Sequence, residues 1–270
     1  MRRHARQFLE RYASGVFEAI RAIRNRQYFK RQFSPLHIEV REKLFSDAQP
    51  MVIQSGPFQG MRYFDEPVWG SITPKWLGSY EAELHGVMEE VHAKPYDTIV
   101  DIGCAEGYYA VGLALLHKRA RIFAFDMDFI SRGQTRRLGR LNRVEHRMKI
   151  ASRCRHQDLK MLSSGRTLVV CDIEGGEEDL LNPSLAPSLL QSDILVEVHE
   201  QQRTPSAVEA KLRSRFEATH LIRRVSSENR LHWIEKHGGE MARLLGKPLI
   251  LRATDERRSN GNVWLWMRSL

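Results

Sequence analysis

Three cysteines in 270 residues, Cys104, Cys154 and Cys171, stand at spacings that make neither a disulfide framework nor a Cys-x-x-Cys metal site. A reducing compartment is expected, without disulfides or zinc. No run is long and apolar enough to span a bilayer, because apolar residues, 42% of the chain, are interleaved with 28% charged ones. The amino-terminal segment lacks the apolar core and cleavage site of a secretory leader, and Glu10 and Glu18 argue against a transit peptide. Cytoplasmic is the default expectation. Also missing is the G-x-G-x-x-G turn that seats a dinucleotide's pyrophosphate on a helix N-terminus.

What stands in its place is residues 98–112, Thr-Ile-Val-Asp-Ile-Gly-Cys-Ala-Glu-Gly-Tyr-Tyr-Ala-Val-Gly. An apolar β run ends at Asp101, Gly103 and Gly107 leave a turn without side chains, and helical apolar spacing resumes through Val111, Leu113 and Leu116. The pattern is D-x-G-x-x-x-G, and the second and third glycine positions of a dinucleotide turn hold Ala105 and Tyr108. Acids beside a turn with open backbone N–H groups suit a ligand that carries an ammonium, a carboxylate and a ribose diol, as S-adenosylmethionine (SAM) does. Asp101 and Glu106 supply the acids, and Cys104 and Ala105 complete the turn. A second apolar run, Arg121 to Phe125, ends in Asp126, nineteen residues past Gly107. In a doubly wound sheet that position lies beside the first turn, where an acceptor can take ribose hydroxyls. Asp128 reads as a helix cap.

A later constellation holds the second set of candidates. Thr167 to Cys171 reads as a buried strand leading into Asp172-Ile-Glu174-Gly-Gly-Glu177, so two carboxylates share one side of the pleat. Paired acids there must be hydrogen-bonded, matched by a cation or ligand, or shifted in pKa. Glu177 and Glu178 suit a helix start and need no further role. Asp193 to His199 is another strand, bringing Glu197 and His199 to the same edge. His199 is the preferred general base, with Asp172 second and Glu174 beside them; a strand-end histidine satisfied by backbone is the competing reading. No ligand set demands a metal.

The order D-x-G-x-x-x-G, an acid at the second strand end, D-I-E-G-x-E and I-L-V-E-V-H resembles the FkbM-type SAM-dependent methyltransferases over about residues 78–200. The resemblance implies a class I fold, an α/β Rossmann-like doubly wound sheet of seven mostly parallel strands. It implies SAM contacts at Asp101, Gly103, Gly107 and Asp126, an active-site turn at Asp172 and Glu174, and O-methylation of a small molecule, sugar or glycan. Gly175-Gly176 departs from the Gly-Ala more usual in that family. No Asn-Pro-Pro-Tyr-like run recommends adenine or glutamine N-methylation.

Two segments frame this region: 1–77, a basic head followed by an aromatic Gly/Pro-rich stretch, and 78–270, the catalytic domain. Residues 1–43 hold eleven Lys or Arg against four Glu, leaving 31 against 29 for the rest, which therefore reads as nearly neutral. The head has an amphipathic helical pattern through Phe8, Tyr12, Val16, Ile20 and Ile23, fit for a packing lid with a solvated cationic face or for anionic lipid or nucleic acid. Phe58 to Phe64 reads as a hairpin. Ser79 reads as the cap of a helix, and Lys75, Tyr80 and Glu81 read either as contacts of the methionine end of SAM or the acceptor pocket, or as capping and surface residues. A third strand is expected over 144–150, its following loop (Ser152, Arg153) passing the adenine. Further on, helices are expected over 205–216 and 233–245, and strands over 218–225 and 263–267, with a turn at Asn260-Gly261 and core tryptophans at 264 and 266. Nucleic-acid methylation through the head, or non-catalytic SAM or dinucleotide binding, are the alternative functions.

Overall fold

A computed structural model describes residues 35–45, 50–65, 68–160, 165–199, 206–227, 230–256 and 263–270. Most of the basic head and the Asn260-Gly261 turn lie outside the described residues. Strands β1 (Thr98–Ile102), β2 (Arg121–Phe125), β3 (Met148–Ala151), β4 (Thr167–Cys171), β5 (Ser192–Val198), β6 (His220–Ser226) and β7 (Val263–Ser269) form one sheet in the order β3-β2-β1-β4-β5-β7-β6. The first five pair in parallel, while β7 runs antiparallel between β5 and β6. This is the α/β, doubly wound, mostly parallel seven-stranded sheet expected from the sequence. β1, β4 and β5 are buried along their whole length, as strands covered on both faces must be.

Register fixes the carboxyl edge. Ile102 is level with Phe125 on one side and Cys171 on the other, and Cys171 is level with Val196. The next residues along, Asp126, Gly103, Asp172 and Glu197, therefore form one row across four strands. The row is tight at its centre: Gly103 has φ +87°, and a Cβ there would lie 1.6 Å from the carbonyl oxygen of Asp172. Gly103 is thus required by the neighbouring strand's backbone, apart from any ligand.

Residues 50–65 and 68–77 share the main hydrophobic core with the sheet and the Tyr108–Leu116 helix. The Phe58 ring fills the space left by Gly112, where a Cβ would stand 2.5 Å from it. Trp76 is fully buried, as are Trp264 and Trp266 on the last strand. No helix among the described residues is long and apolar enough to cross a membrane.

Several expected boundaries move. The hairpin forms between residues 51–53 and 60–63, with backbone bonds from Ile53 to Met61 (3.0 Å) and from Tyr63 to Met51 (2.9 Å), so Phe58 to Phe64 supplies only its turn and second arm. Ser79 caps nothing. Gly78, at φ +78°, instead closes the Ile72–Leu77 helix, and the next helix spans His85–His92. The third strand starts at Met148 because Glu145–Arg147 is a 3-10 turn. That turn lets Arg147 donate to the carbonyls of Ala114, His117 and Ala120 (2.6, 3.0 and 2.8 Å), which end the Tyr108–Leu116 helix. The single helix expected over 233–245 is two, Arg230–His237 and Gly239–Leu245, broken at the Gly238-Gly239 pair, and Lys247–Ala253 adds one that periodicity did not reveal.

Gly103→Ala is expected to cost roughly 3 kcal/mol or more, combining overlap with backbone and a left-handed φ. Gly60→Ala (φ +82°, nothing within 4 Å of a Cβ) should cost only about 1–2 kcal/mol from φ alone. Urea denaturation of the two variants checks this; equal losses would show that the Gly103 contact is not tight.

Candidate active site

Asp101 ends β1 pointing into the protein, 3% exposed. One oxygen is satisfied by the backbone at Ala110, at the start of the following helix, while Oδ2 is buried with no hydrogen-bond partner. Burial, reinforced by the charges of Asp172, Asp126 and Glu106 and partly opposed by the Ala110 bond, pushes its carboxyl up to about 8. A buried acid oxygen without a donor, beside other acids, is a place for an incoming cationic N–H group.

Asp126, partly exposed at the end of β2, organises the turn. Its Oδ2 accepts the Ala105 N–H (2.9 Å) and its Oδ1 the Asp128 N–H (2.7 Å). A carboxylate oxygen accepts more than one donor. Asp128 caps the Phe129–Leu141 helix, accepting from the Ile130 N–H (3.3 Å) and Ser131 Oγ (3.1 Å). Gly103 and Ala105 keep part of their surface exposed, whereas Gly107 packs against Thr135 and Cys104 is buried with its thiol pushed up by that burial.

Glu106 has a different place from the one expected. It is fully buried, and its Oε1 accepts from Tyr63 Oη (2.6 Å) and from Lys75 Nζ, both from the segment before the sheet. Its Oε2 is buried without a hydrogen-bond partner. Lys75, 2% exposed, also donates to the Trp69 carbonyl (2.9 Å) and sits 4.7 Å from the Tyr80 ring centroid. Tyr80 packs edge-on against Tyr108. Glu81, buried at φ +50°, accepts from Tyr109 Oη, and its N–H donates to Glu256 Oε1 (3.0 Å). Glu106 and Glu81 are thus engaged by protein. Glu256, which the sequence did not single out, is pushed up to about 8 by burial and by Glu83, with Lys75 opposing.

Two strands along from β1 lies a second cluster. His199 Nδ1 is 2.8 Å from Glu177 Oε1, an oxygen that also accepts the Gly175 N–H (2.9 Å). His199 Nε2 faces Glu197 (3.4 Å), Glu174 (3.6 Å) and Asp172 (3.7 Å). The four residues expected to converge do so. Glu177, read from the sequence as a helix-start acid with no further role, is 1% exposed and orients the imidazole. Burial alone would lower the His199 pKa. The Glu177 bond and the charges of Asp172, Glu177 and Glu174 more than offset it, leaving the group above its ordinary value. Burial pushes Asp172 up to about 6, with His199 and a bond to Glu197 opposing. Asp172, Glu174 and His199 also offer ligand atoms within 4.8 Å of one another, a spacing one divalent cation can bridge. Hollows lie elsewhere too, one at the amino-terminal ends of β4 and β5, lined by Thr167, Pro187 and Ser192, and one on β6 and β7, lined by Leu221, Arg223 and Trp266.

No protein-family model matches the chain, and none of the curated proteins does. Solved structures do. A protein proposed to be an rRNA methylase, from Clostridium thermocellum, is 14% identical, covering 70% of this chain and 97% of its own, at a TM-score of 0.44. One proposed to be an O-methyltransferase, from Klebsiella pneumoniae, is 11% identical over 90% of this chain and 95% of its own, at 0.46. The O-methyltransferase TomG from Streptomyces achromogenes, solved in complex with SAM, is 11% identical over 71% and 81%, at 0.43. Similarity at this level concerns architecture; what the site can do rests on its own residues.

Glu177→Gln removes the charge at Nδ1 while keeping a side chain of the same shape. The His199 imidazole, followed by NMR across pH, is expected to titrate lower than in the parent chain. An unchanged midpoint would mean that Glu177 does not set its protonation.

Proposed function

We propose that this chain transfers a methyl group from SAM to a hydroxyl oxygen of a small molecule, sugar or glycan. The observation that carries the reading is the row Asp126, Gly103, Asp172, Glu197, with the orphaned Asp101 oxygen at one end and the His199 cluster at the other. The resemblance of residues 78–200 to FkbM-type enzymes supports it independently of this geometry.

The residues present fit the cofactor. Asp101 would offer its partnerless oxygen to the α-ammonium, Asp126 its carboxylate to the ribose diol, and the partly exposed Gly103 and Ala105, whose N–H groups are held by Phe125 and Asp126, a close approach for the rest. SAM supplies a methyl carbon already activated by the sulfonium charge. The protein's task is then to align the acceptor and remove its proton. His199, anchored at Nδ1 by Glu177, presents Nε2 as the base. A raised pKa makes it a stronger base but keeps more of it protonated at low pH. Asp172 and Glu174 hold the resulting imidazolium.

The test is calorimetric titration with SAM, S-adenosylhomocysteine and NAD, followed by a metabolite and glycan screen with labelled methyl donor. Asp101→Ala is expected to lose SAM binding, whereas His199→Ala binds SAM like the parent and transfers methyl slowly. Equal binding losses in both, or binding of NAD in preference to SAM, would overturn the reading.

Affinity for SAM should also depend on pH. Free Asp101 is protonated below about 8, and an ammonium ligand requires its ionised form, so binding expels a proton. SAM should bind more tightly, by up to about tenfold per pH unit, as pH rises from 6 to 7.5. A flat profile would show that the Asp101 carboxyl is already ionised in the free chain.

A further inference from the structure

The near neutrality of the chain after residue 43 conceals a division. Residues 129–160 hold ten Lys or Arg, eight of them Arg, against two acids. All of these residues are described, and they form the outer border of the sheet: the Phe129–Leu141 helix, the edge strand β3, the loop beyond it and the His156–Lys160 helix. Arg136, Arg140, Arg143, Lys149, Arg153 and Arg155 are all exposed. Among the described residues these six side chains meet one carboxylate, Glu145, 3.5 Å from Arg140. Arg136 and Arg140 reach backbone carbonyls only at 3.4–3.5 Å, whereas Arg132 and Arg147, partly buried, are tied to them at 2.6–3.0 Å and belong to the scaffold.

A few lysines suffice to keep an edge strand from pairing with another chain. That need does not explain guanidinium groups continuing along a thirteen-residue helix and past the end of the strand. Arginine's planar fork matches phosphate oxygens in pairs, and its excess over lysine points to a phosphate-bearing polymer. The track also has a direction. The helix begins and β3 ends at the carboxyl edge of the sheet, so Phe129, Arg153 and Arg155 stand on the same edge as Asp101 and Asp126. Phe129 is 47% exposed, the one large apolar side chain of residues 129–160 that is. One ring gives a bilayer little to hold, whereas a ring at the end of a cationic track is the arrangement on which an unpaired base stacks.

We propose that this border binds single-stranded nucleic acid, its phosphates along the arginines and a base on Phe129. This surface is separate from the basic amino-terminal head and does not require methyl transfer at the neighbouring site.

The test is fluorescence anisotropy of a labelled twelve-nucleotide oligouridine with the full chain. In the variant Arg136→Glu, Arg140→Glu, Arg143→Glu, Lys149→Glu, binding at 50 mM salt is expected to weaken at least about tenfold, and the slope of log K against log salt to flatten by about 3. Phe129→Ala should weaken binding about fivefold or more. Should the charge reversals impair folding, the same four positions changed to Gln serve, with melting curves as the check. Parent-like affinity and salt slope in the folded variants would overturn the proposal, as would tighter binding to phosphatidylserine vesicles than to the oligonucleotide. SAM titration of the same variants separates this surface from the cofactor site, because it should be unchanged whether or not the chain transfers methyl groups.

Discussion

Like charges confined to one sheet edge are the constraint around which this structure is organised. Asp101, Glu106, Asp126, Asp172, Glu174, Glu177 and Glu197 all lie at or just beyond the carboxyl ends of four adjacent strands. Two unit charges 4 Å apart still repel by roughly 4 kcal/mol at the effective dielectric of a protein surface. The row tolerates this by three means: a proton retained on Asp101, backbone N–H groups aimed at Asp126 and Asp101, and two basic side chains inserted where acids are most buried. Lys75 meets Glu106, and His199 meets the cluster on β4 and β5. Among the described residues Asp101 Oδ2 meets neither a hydrogen-bond donor nor a basic side chain and is relieved by protonation alone, which is why the reading of the site rests on it.

The segment before the sheet is part of this solution. Lys75 and Tyr63 reach Glu106 from the amino-terminal side, and Phe58 packs into the notch at Gly112 in the helix that follows the turn. The glycine turn is therefore clamped from outside by Phe58, Tyr63 and Lys75 and from inside by the Asp172 carbonyl. Removing one partner of a buried pair leaves an uncompensated charge, so the segment's hold on the turn is electrostatic as much as apolar. A rigid turn loses less freedom when a ligand docks on it.

What was legible in the sequence was what depends on near neighbours. Strand, turn and helix around Asp101 follow from apolar period and glycine placement within fifteen residues, and the cap at Asp128 from its own first turn. The convergence of Asp172, Glu174, Glu197 and His199 was also legible, because parallel strands in register bring consecutive strand ends together. Partners chosen across the fold were not. Glu106 looked like a ligand because Lys75, thirty-one positions earlier, cannot be paired with it from the sequence. Glu177 looked like a helix-start acid until His199 was seen against it, and Glu256 comes from 175 positions beyond Glu81. The early start assigned to the third strand failed because Arg147 is claimed by carbonyls of another helix. The cationic border was hidden by averaging, since a balance taken over the whole catalytic segment cancels the 129–160 block against acids elsewhere.

The row's geometry bears on how one edge can both hold a donor and remove a proton. Neighbouring strands stand roughly 4.8 Å apart, so β1 and β5, with β4 between them, set Asp101 and His199 on lines about 10 Å apart. Under the proposed function, a donor held at Asp101 and Asp126 would have to reach across β4, whose strand end carries Asp172 and Glu174, to come near His199. That places the charge that develops as a hydroxyl is methylated next to carboxylates, which would oppose an alkoxide but favour the imidazolium formed by proton loss. Under the proposed function, these electrostatics would favour a reaction in which the proton moves to His199 as the oxygen attacks, over one that begins from a free alkoxide. In that reaction the acids of β4 and β5 would act through the histidine, and their effect on the acceptor oxygen itself would be unfavourable.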